Sequence, residues 1–472
     1  MLYNSFAFLL FFPLTVLLFW LCPGRIRKLF LLVVSYLFYM NWEPRFALLL
    51  AGVTLVTFVG GKRIARQSEN GGGKCALTVS LILTFLPLFL YKYLAFFTVS
   101  AWSILEVTGL RMEMPRFELL LPIGISFYTF QTAGYMIDVY QKRQKAETNL
   151  MDYAVFASMF FQIAAGPIGR ATQLLPQIKG LESKRFAAEN MVNGLKWMLW
   201  GYFMKVAVAD RLALYTEAVF GNIAYHSGLS MLVAATFFSI QIYCDFAGYS
   251  FIAYGVAKCM GFDVIKNFER PYMAQSVGEF WRRWHISLST WFRDYVYFPL
   301  GGNRCTQWRN KTNLMATFLL SGLWHGANWT FVVWGGLNGL LQVVETAVFG
   351  KRLRERSHGW KGWGRVAVTF LLMTVAWTFF KANTIADAWA AVGKMFVPAG
   401  SLYVPQLSTL LYCLTGIAVV VVSDLWQEAH GGRWMLMSHK NIAVRYAGYL
   451  FLTLYLLMFG VFDGGQFIYF KF

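Results

Sequence analysis

Two of the six histidines sit among residues where an imidazole is expensive to keep. His325 falls in FLLSGLWHGANWTFVVWGG, residues 318–336, an apolar and aromatic stretch without a charge. Burial disfavours the charged imidazolium, and a neutral imidazole can take a proton from a hydroxyl, the work of a general base. An ionisable group at membrane depth is a functional hypothesis by default. The structural alternative is a histidine donating to a carbonyl freed where the helix breaks at Gly326. His285 falls in NFERPYMAQSVGEFWRRWHISLSTWFRDYVYFPLGGNRCTQWRNKTN, within a polar, basic, Trp-rich stretch from about 263 to 313. Ser276 and Glu279 there fit a capping box. Trp281, Trp284, His285, Leu288 and Phe292 then recur every three or four residues, which predicts one helical face, with Arg282, Arg283, Ser289 and Arg293 off it. That helix either lies in the membrane interface or re-enters to line a site. His226, His358, His430 and His439 fall in predicted loops and read as solvated.

The elements that must position these histidines are membrane helices. Of 472 residues, 57% are hydrophobic, 18% aromatic and only 14% charged, with a mean hydropathy of +0.49. A soluble domain is about a quarter charged. Apolar runs of about 18 residues or more, the bilayer-spanning length, recur along the chain. The pattern predicts an all-α polytopic membrane protein, one domain over 1–472, with about eleven transmembrane helices plus re-entrant or interfacial helices around a central funnel or tunnel. Candidate spans are 5–22, 29–41, 46–60, 76–97, 119–139, 150–165, 192–209, 229–260, two legs within 312–348, 364–381, 407–424 and 443–462. Gly and Pro interrupt some of them, as in LPIGISFYTF and AAGPIGR. Backbone breaks at membrane depth need shielding by protein or a water-lined cavity, hence the expected internal cavity. No internal repeat is found.

The net charge of +19 does not point to nucleic acid here, because the basic residues cluster between apolar runs. Such clusters mark cytoplasmic loops: Arg25 to Lys28; Lys62, Arg63, Arg66 and Lys74; Lys142, Arg143 and Lys145; and Lys351, Arg352, Arg354, Arg356, Lys361 and Arg365. The segment 100–118 mixes signs and reads as outside. The N-terminal apolar run has its charge after it rather than before, which reads as an uncleaved first span with the N-terminus outside. Arg304, Arg309 and Lys311 precede His325 and the Lys351 cluster follows it, so the chain must enter the membrane and return. A leg from Thr312 to Trp324 rises only about 20 Å as helix, against a core about 30 Å thick. The HGAN break and His325 are therefore expected within the bilayer. Six scattered cysteines without a CxxC pair suggest neither a disulfide framework nor a zinc site, and no metal is expected.

Other polar residues enter apolar helices: Gln241 and Asp245, four apart on one face; Gln131, Tyr135 and Asp138; and Arg293 with Asp294. Each is expected more often as an interhelical hydrogen bond than as a catalytic group. No GxGxxG, Walker, G-x-S-x-G or HExxH motif is present.

FWRRWHISLSTWFRDYVYFPLGGNR and SGLWHGANWTFVVWGGLNG together resemble the signature of the membrane-bound O-acyltransferase family. The opening MLYNSFAFLLFF, the stretch DFAGYSFIAYGVAKCMGF and the closing FIYFKF fit as well, so the likeness covers most of the chain. FPLGGNR favours the bacterial branch that contains the alginate O-acetylation membrane protein over the related D-alanylation branch. The resemblance implies that His325 is the catalytic histidine and His285 the second family histidine. It implies no bound cofactor, and a thioester donor, acyl-CoA or acyl carrier protein, whose acyl group passes through a tunnel for O-acylation of an exported or cell-wall polysaccharide. An extracytoplasmic SGNH-type acetyltransferase is the implied partner, and a bacterial cytoplasmic membrane the implied location. Arg282, Arg283, Arg304 and Arg309 would attract an anionic donor. Candidate oxyanion donors are Asn328 and Trp324. Further candidate substrate or tunnel residues are Trp281, Trp284, Ser287, Arg293, Asp294, Asn303, Gln241 and Asp245. His325 can act as base or form an acyl-histidine. The competing readings are D-alanyl transfer to teichoic acid, a non-catalytic transporter, for which paired broken helices are lacking, and a membrane scaffold.

Overall fold

The computed structural model describes residues 1–69, 71–108, 119–163, 166–350, 355–462 and 468. Among them all regular structure is helical, and seven helices are long and apolar enough to cross a membrane: Phe46–Glu69, Lys74–Glu106, Gly228–Cys259, Trp329–Phe349, Gly359–Lys381, Leu407–Ala429 and Ile442–Phe459. Phe6–Leu21 and Leu150–Ile163 are shorter apolar helices. The chain is thus the polytopic helical protein expected, with seven long spans where the apolar runs suggested about eleven. The difference lies in length: several runs fold as helices of 16 residues or fewer, or contain a break. Of the basic cluster after His325, residues 351–354 lie outside the described residues, as does 109–118 of the segment expected outside.

Contacts divide the chain into two compact units, Met1–Asn193 with Val256–Ile265, and Gly194–Gly255 with Lys266–Phe472. The first contains α1 (Phe6–Leu21), α2 (Arg27–Met40), α3 (Phe46–Glu69), α4 (Lys74–Leu88), α5 (Leu94–Val107), α6 (Ile125–Tyr140), α7 (Leu150–Ser158), α8 (Phe160–Ile163) and α9 (Ala171–Lys179). Its breaks fall where the Gly and Pro residues stand. Gly124 starts α6 at φ +74°, and a Cβ there would meet the Ile163 carbonyl at 2.2 Å, so only glycine fits. Gln131 and Tyr135 serve as structural glue: Gln131 accepts from Gly169 N at 3.3 Å and Tyr135 Oη from Glu147 N at 2.9 Å.

The second unit carries both histidines. After α10 (Ala188–Tyr202) and a π-helical stretch, Phe203–Ala209, come α11 (Asp210–Gly221) and α12 (Gly228–Cys259). α12 is a continuous helix of 32 residues, about 48 Å long, where a break was conceivable. Two short helices, α13 (Val277–Arg283) and α14 (Ile286–Phe292), precede the hairpin of α15 (Gln307–His325) and α16 (Trp329–Phe349). Then follow α17 (Gly359–Lys381), α18 (Ile385–Met395), α19 (Leu407–Ala429) and α20 (Ile442–Phe459). Lys205, in the π-helical stretch, is buried between Asp210 and Asp245, at 2.7 and 2.5 Å. Asp245 also accepts from Ile468 N at 2.8 Å. Buried charge has to be paired and hydrogen-bonded to be tolerated, and these contacts do that. Gln241, one turn away on α12, accepts from Thr216 Oγ1 at 2.6 Å.

Candidate active site

The Trp-rich segment does not run as one helix. Its start follows the capping signal: Ser276 Oγ accepts from Glu279 N at 3.0 Å. Glu279 in turn takes the N–H of Gln275 at 2.8 Å, one residue upstream of the usual reciprocal bond. The two remaining first-turn donors, Val277 N and Gly278 N, go to Glu345 on α16 at 2.9 and 3.0 Å. Two turns earlier on the same face of α16, Asn338 accepts from Trp281 Nε1 at 3.3 Å. α13 is thereby fastened to α16 at both ends of its length. The helix then stops, because His285 takes left-handed backbone, φ +43° and ψ 55°. A non-glycine residue there carries a cost of order 1–3 kcal/mol and needs a reason to stay.

The reason is Asn267, in the irregular stretch before α13. Its carbonyl accepts from Ile286 N at 2.9 Å. Its Oδ1 accepts from Ser287 N at 3.1 Å and Ser287 Oγ at 2.8 Å, and faces His285 Nδ1 at 3.2 Å. The first donors of α14, which a cap must satisfy, are thus met by a residue 20 positions upstream. The break turns Trp284 and His285 fully inward, with neither exposed. The expected single helix is thus two short ones, α13 and α14, and its aromatic face is turned into the protein. The imidazole stands edge-on to Phe246, centroids 4.6 Å apart, and burial pushes it down to about 3.

His325 is the last residue of α15, at the mouth of the α15–α16 hairpin. Gly322 and Gly335 lie face to face there: a Cβ on Gly335 would meet the Phe318 carbonyl at 2.4 Å and Gly322 Cα at 3.1 Å. Small residues at a crossing let backbones approach this closely. The approach sets His325 edge-on to Trp334 of α16 at 4.9 Å and to Phe380 of α17 at 5.6 Å. Trp324 stands between the two histidines, 5.9 Å from His285 and 5.0 Å from His325. Trp334 and Trp377 stack at 5.4 Å, Trp284 packs on Trp377 at 4.8 Å, and Trp281 meets Trp334 at 5.6 Å. Both imidazoles therefore adjoin one cluster of tryptophans drawn from α13, the break after it, α15, α16 and α17.

Other candidates fall elsewhere or into other work. Asn328 caps α16, accepting from Thr330 N at 3.0 Å, and donates to the Asn383 carbonyl at 3.2 Å. Arg283 is held by Glu279 at 2.8 Å and Glu428 at 3.0 Å. Glu428 also binds Arg270 at 2.8 Å, together with Arg356. Arg282, Arg304 and Arg309 are exposed. Arg293 pairs with Asp294 at 2.8 Å on a half-exposed surface, and Asn303 is exposed in a glycine turn. α15 begins at Gln307, capped by Thr306, five residues earlier, in its basic end, than the Thr312 start that the apolar pattern implied. Its 19 residues rise about 28 Å, so length alone does not put the HGAN break inside the bilayer. What keeps water from His325, 2% exposed, is the tryptophan packing. Sequence reasoning missed Asn267, Trp334 and Trp377. Asn267 left one signal, an Asn in a non-helical stretch just ahead of a capped helix, a residue type that bonds backbone locally.

A family model for the membrane-bound O-acyltransferase family matches residues 139–389. The chain belongs to this family. The probable alginate O-acetylase AlgI of Azotobacter vinelandii is 36% identical over 443 residues, 91% of this chain and 86% of the relative. That of Pseudomonas aeruginosa is 38% identical over 422 residues, 89% and 79%. The peptidoglycan O-acetyltransferase of Helicobacter pylori is 30% identical over 385 residues, 76% and 72%. The membership and the long apolar helices make this a multi-pass membrane O-acyltransferase. Both histidines and all five tryptophans of the cluster fall inside the matched region.

Proposed function

We propose that this O-acyltransferase moves an acetyl group from a thioester donor, acyl-CoA or acyl carrier protein, on the cytoplasmic side toward O-acetylation of an exported polysaccharide, and that His325 is its general base. The observation that carries the reading is His325 itself: an imidazole buried at a helix end, against a tryptophan cluster that it shares with the second histidine of the signature. In the proposed step the acceptor hydroxyl oxygen attacks the thioester carbonyl while His325 takes the hydroxyl proton. The tetrahedral oxyanion collapses, the C–S bond breaks, and the imidazolium returns its proton to the leaving thiolate, giving ester and thiol. His285 presents the second imidazole to the same groups. Trp334, whose indole N–H is buried and meets no acceptor among the described residues, is the donor proposed for the oxyanion. Such a buried donor is costly unless something uses it. Exposed Arg282, Arg304 and Arg309 suit the approach of an anionic donor. The names of the relatives support acetyl over D-alanyl transfer. We place the protein in a bacterial cytoplasmic membrane with its N-terminus outside, handing acetyl groups to an extracytoplasmic SGNH-type acetyltransferase.

The test compares a host carrying the native protein with one carrying His325→Ala at matched membrane levels. Base-labile acyl groups are released from surface and secreted polymers and identified by mass spectrometry. One acyl species should vanish in the variant, which names the group and the polymer. Unchanged acylation overturns the assignment of His325.

A further inference from the structure

We infer that Asn267 is a positioning residue that holds His285 in its Nδ1–H tautomer and leaves Nε2 as the basic nitrogen; this rests on the proposed role of His285 in the reacting site. Asn and histidine hydrogens are normally assigned by network logic, and here a backbone donor anchors the assignment. Ser287 N is a backbone donor and nothing else, so the Asn267 atom 3.1 Å from it is the amide oxygen. Asn267 Nδ2 then points the other way and donates to Ser250 Oγ on α12 at 3.2 Å, so two separate elements fix the amide's orientation. His285 Nδ1 lies 3.2 Å from that same oxygen. Two lone pairs would repel at this distance, so Nδ1 carries the hydrogen. A neutral imidazole has one N–H, and its other nitrogen holds the lone pair.

The same amide also stabilises the backbone that aims the ring. Asn267 O and Oδ1 hold Ile286 N and Ser287 N, the two donors exposed by the left-handed turn at His285. Phe246 and Phe268 flank the imidazole, at 4.6 and 6.5 Å, and Asn267 meets its Nδ1 edge. Asn267 is only 2% exposed and touches no reacting atom in this scheme. It acts through His285, as a partner of a metal-bound or catalytic histidine fixes the tautomer of that ring.

The experiment uses the full chain in lipid nanodiscs. With 15N-imidazole-labelled histidine, the His285 signals are identified by their loss in His285→Gln. The native protein should show a protonated Nδ1 and a bare Nε2; the reverse pattern overturns the inference without any Asn267 variant having to fold. Asn267→Leu should populate the other tautomer and lower kcat about 100-fold, with donor KM within about threefold. Asn267→Asp keeps an acceptor oxygen and should recover to within about tenfold of native. A native rate in Asn267→Leu, when His285→Gln is inactive, overturns the positioning role alone. Full activity in His285→Gln instead overturns the reading of His285, and the inference with it.

Discussion

Replacing Gly335 by alanine should cost the enzyme its rate while costing the fold little. The added Cβ would lie 2.4 Å from the Phe318 carbonyl oxygen and 3.1 Å from Gly322 Cα. Both are backbone atoms that cannot swing aside, so α15 and α16 must part by about 1 Å to restore van der Waals contact in a close-packed interior. Overpacking of this kind costs about 1–3 kcal/mol. Alanine recovers about 1 kcal/mol of helix propensity over glycine, so the net destabilisation is about 0–2 kcal/mol. His325 is carried by α15 and its ring neighbour Trp334 by α16, so the same 1 Å falls between base and cluster. Misplacement of that size costs about 100-fold in rate. Gly336 is the control, one residue on: its Cβ would reach only Leu319 Cδ2, at 3.4 Å. Gly336→Ala should keep activity within about twofold and be as stable or slightly more so. The assay is acyl release from the polymer at matched membrane levels, paired with thermal unfolding in detergent. Equal rates in the two variants would refute the idea that the glycine crossing aims His325.

Asn328→Ala should lower stability by about 1 kcal/mol as a lost helix cap and keep acyl transfer within about fivefold, since both ends of the amide are already engaged; a drop of about 100-fold at native stability would return Asn328 to the oxyanion role. His285, lowered to about 3 in the fold against about 6.5 unfolded, makes stability fall with acid. The unfolded chain binds the proton first, so the contribution is whole above about pH 6.5 and is lost as pH drops toward 3. Going from pH 7.5 to 5.5, the native protein should lose roughly 1.4 kcal/mol relative to His285→Gln, read from unfolding midpoints. His285→Gln should lose that dependence, and an unchanged pH slope in this variant would show that other groups set it.

The two histidines could be singled out from sequence because His325 is the lone ionisable group in an aromatic run, His285 shares a helical spacing with aromatic residues, and the motifs around them are long. The Ser276 cap also held, since it depends on residues three apart, while Glu279 took the N–H of Gln275 in place of that of Ser276. The periodicity of Trp281, Trp284, His285, Leu288 and Phe292 misled for a physical reason. A helical repeat records which residues face inward, and two short helices can share one inward face across a break. What broke the helix was Asn267, whose pull on Ile286 and Ser287 runs across about 20 residues and leaves no local pattern. The polar pair Gln241 and Asp245 shows the converse. Their spacing placed them on one face of α12, yet their partners, Thr216, Lys205 and Ile468, are distant in sequence.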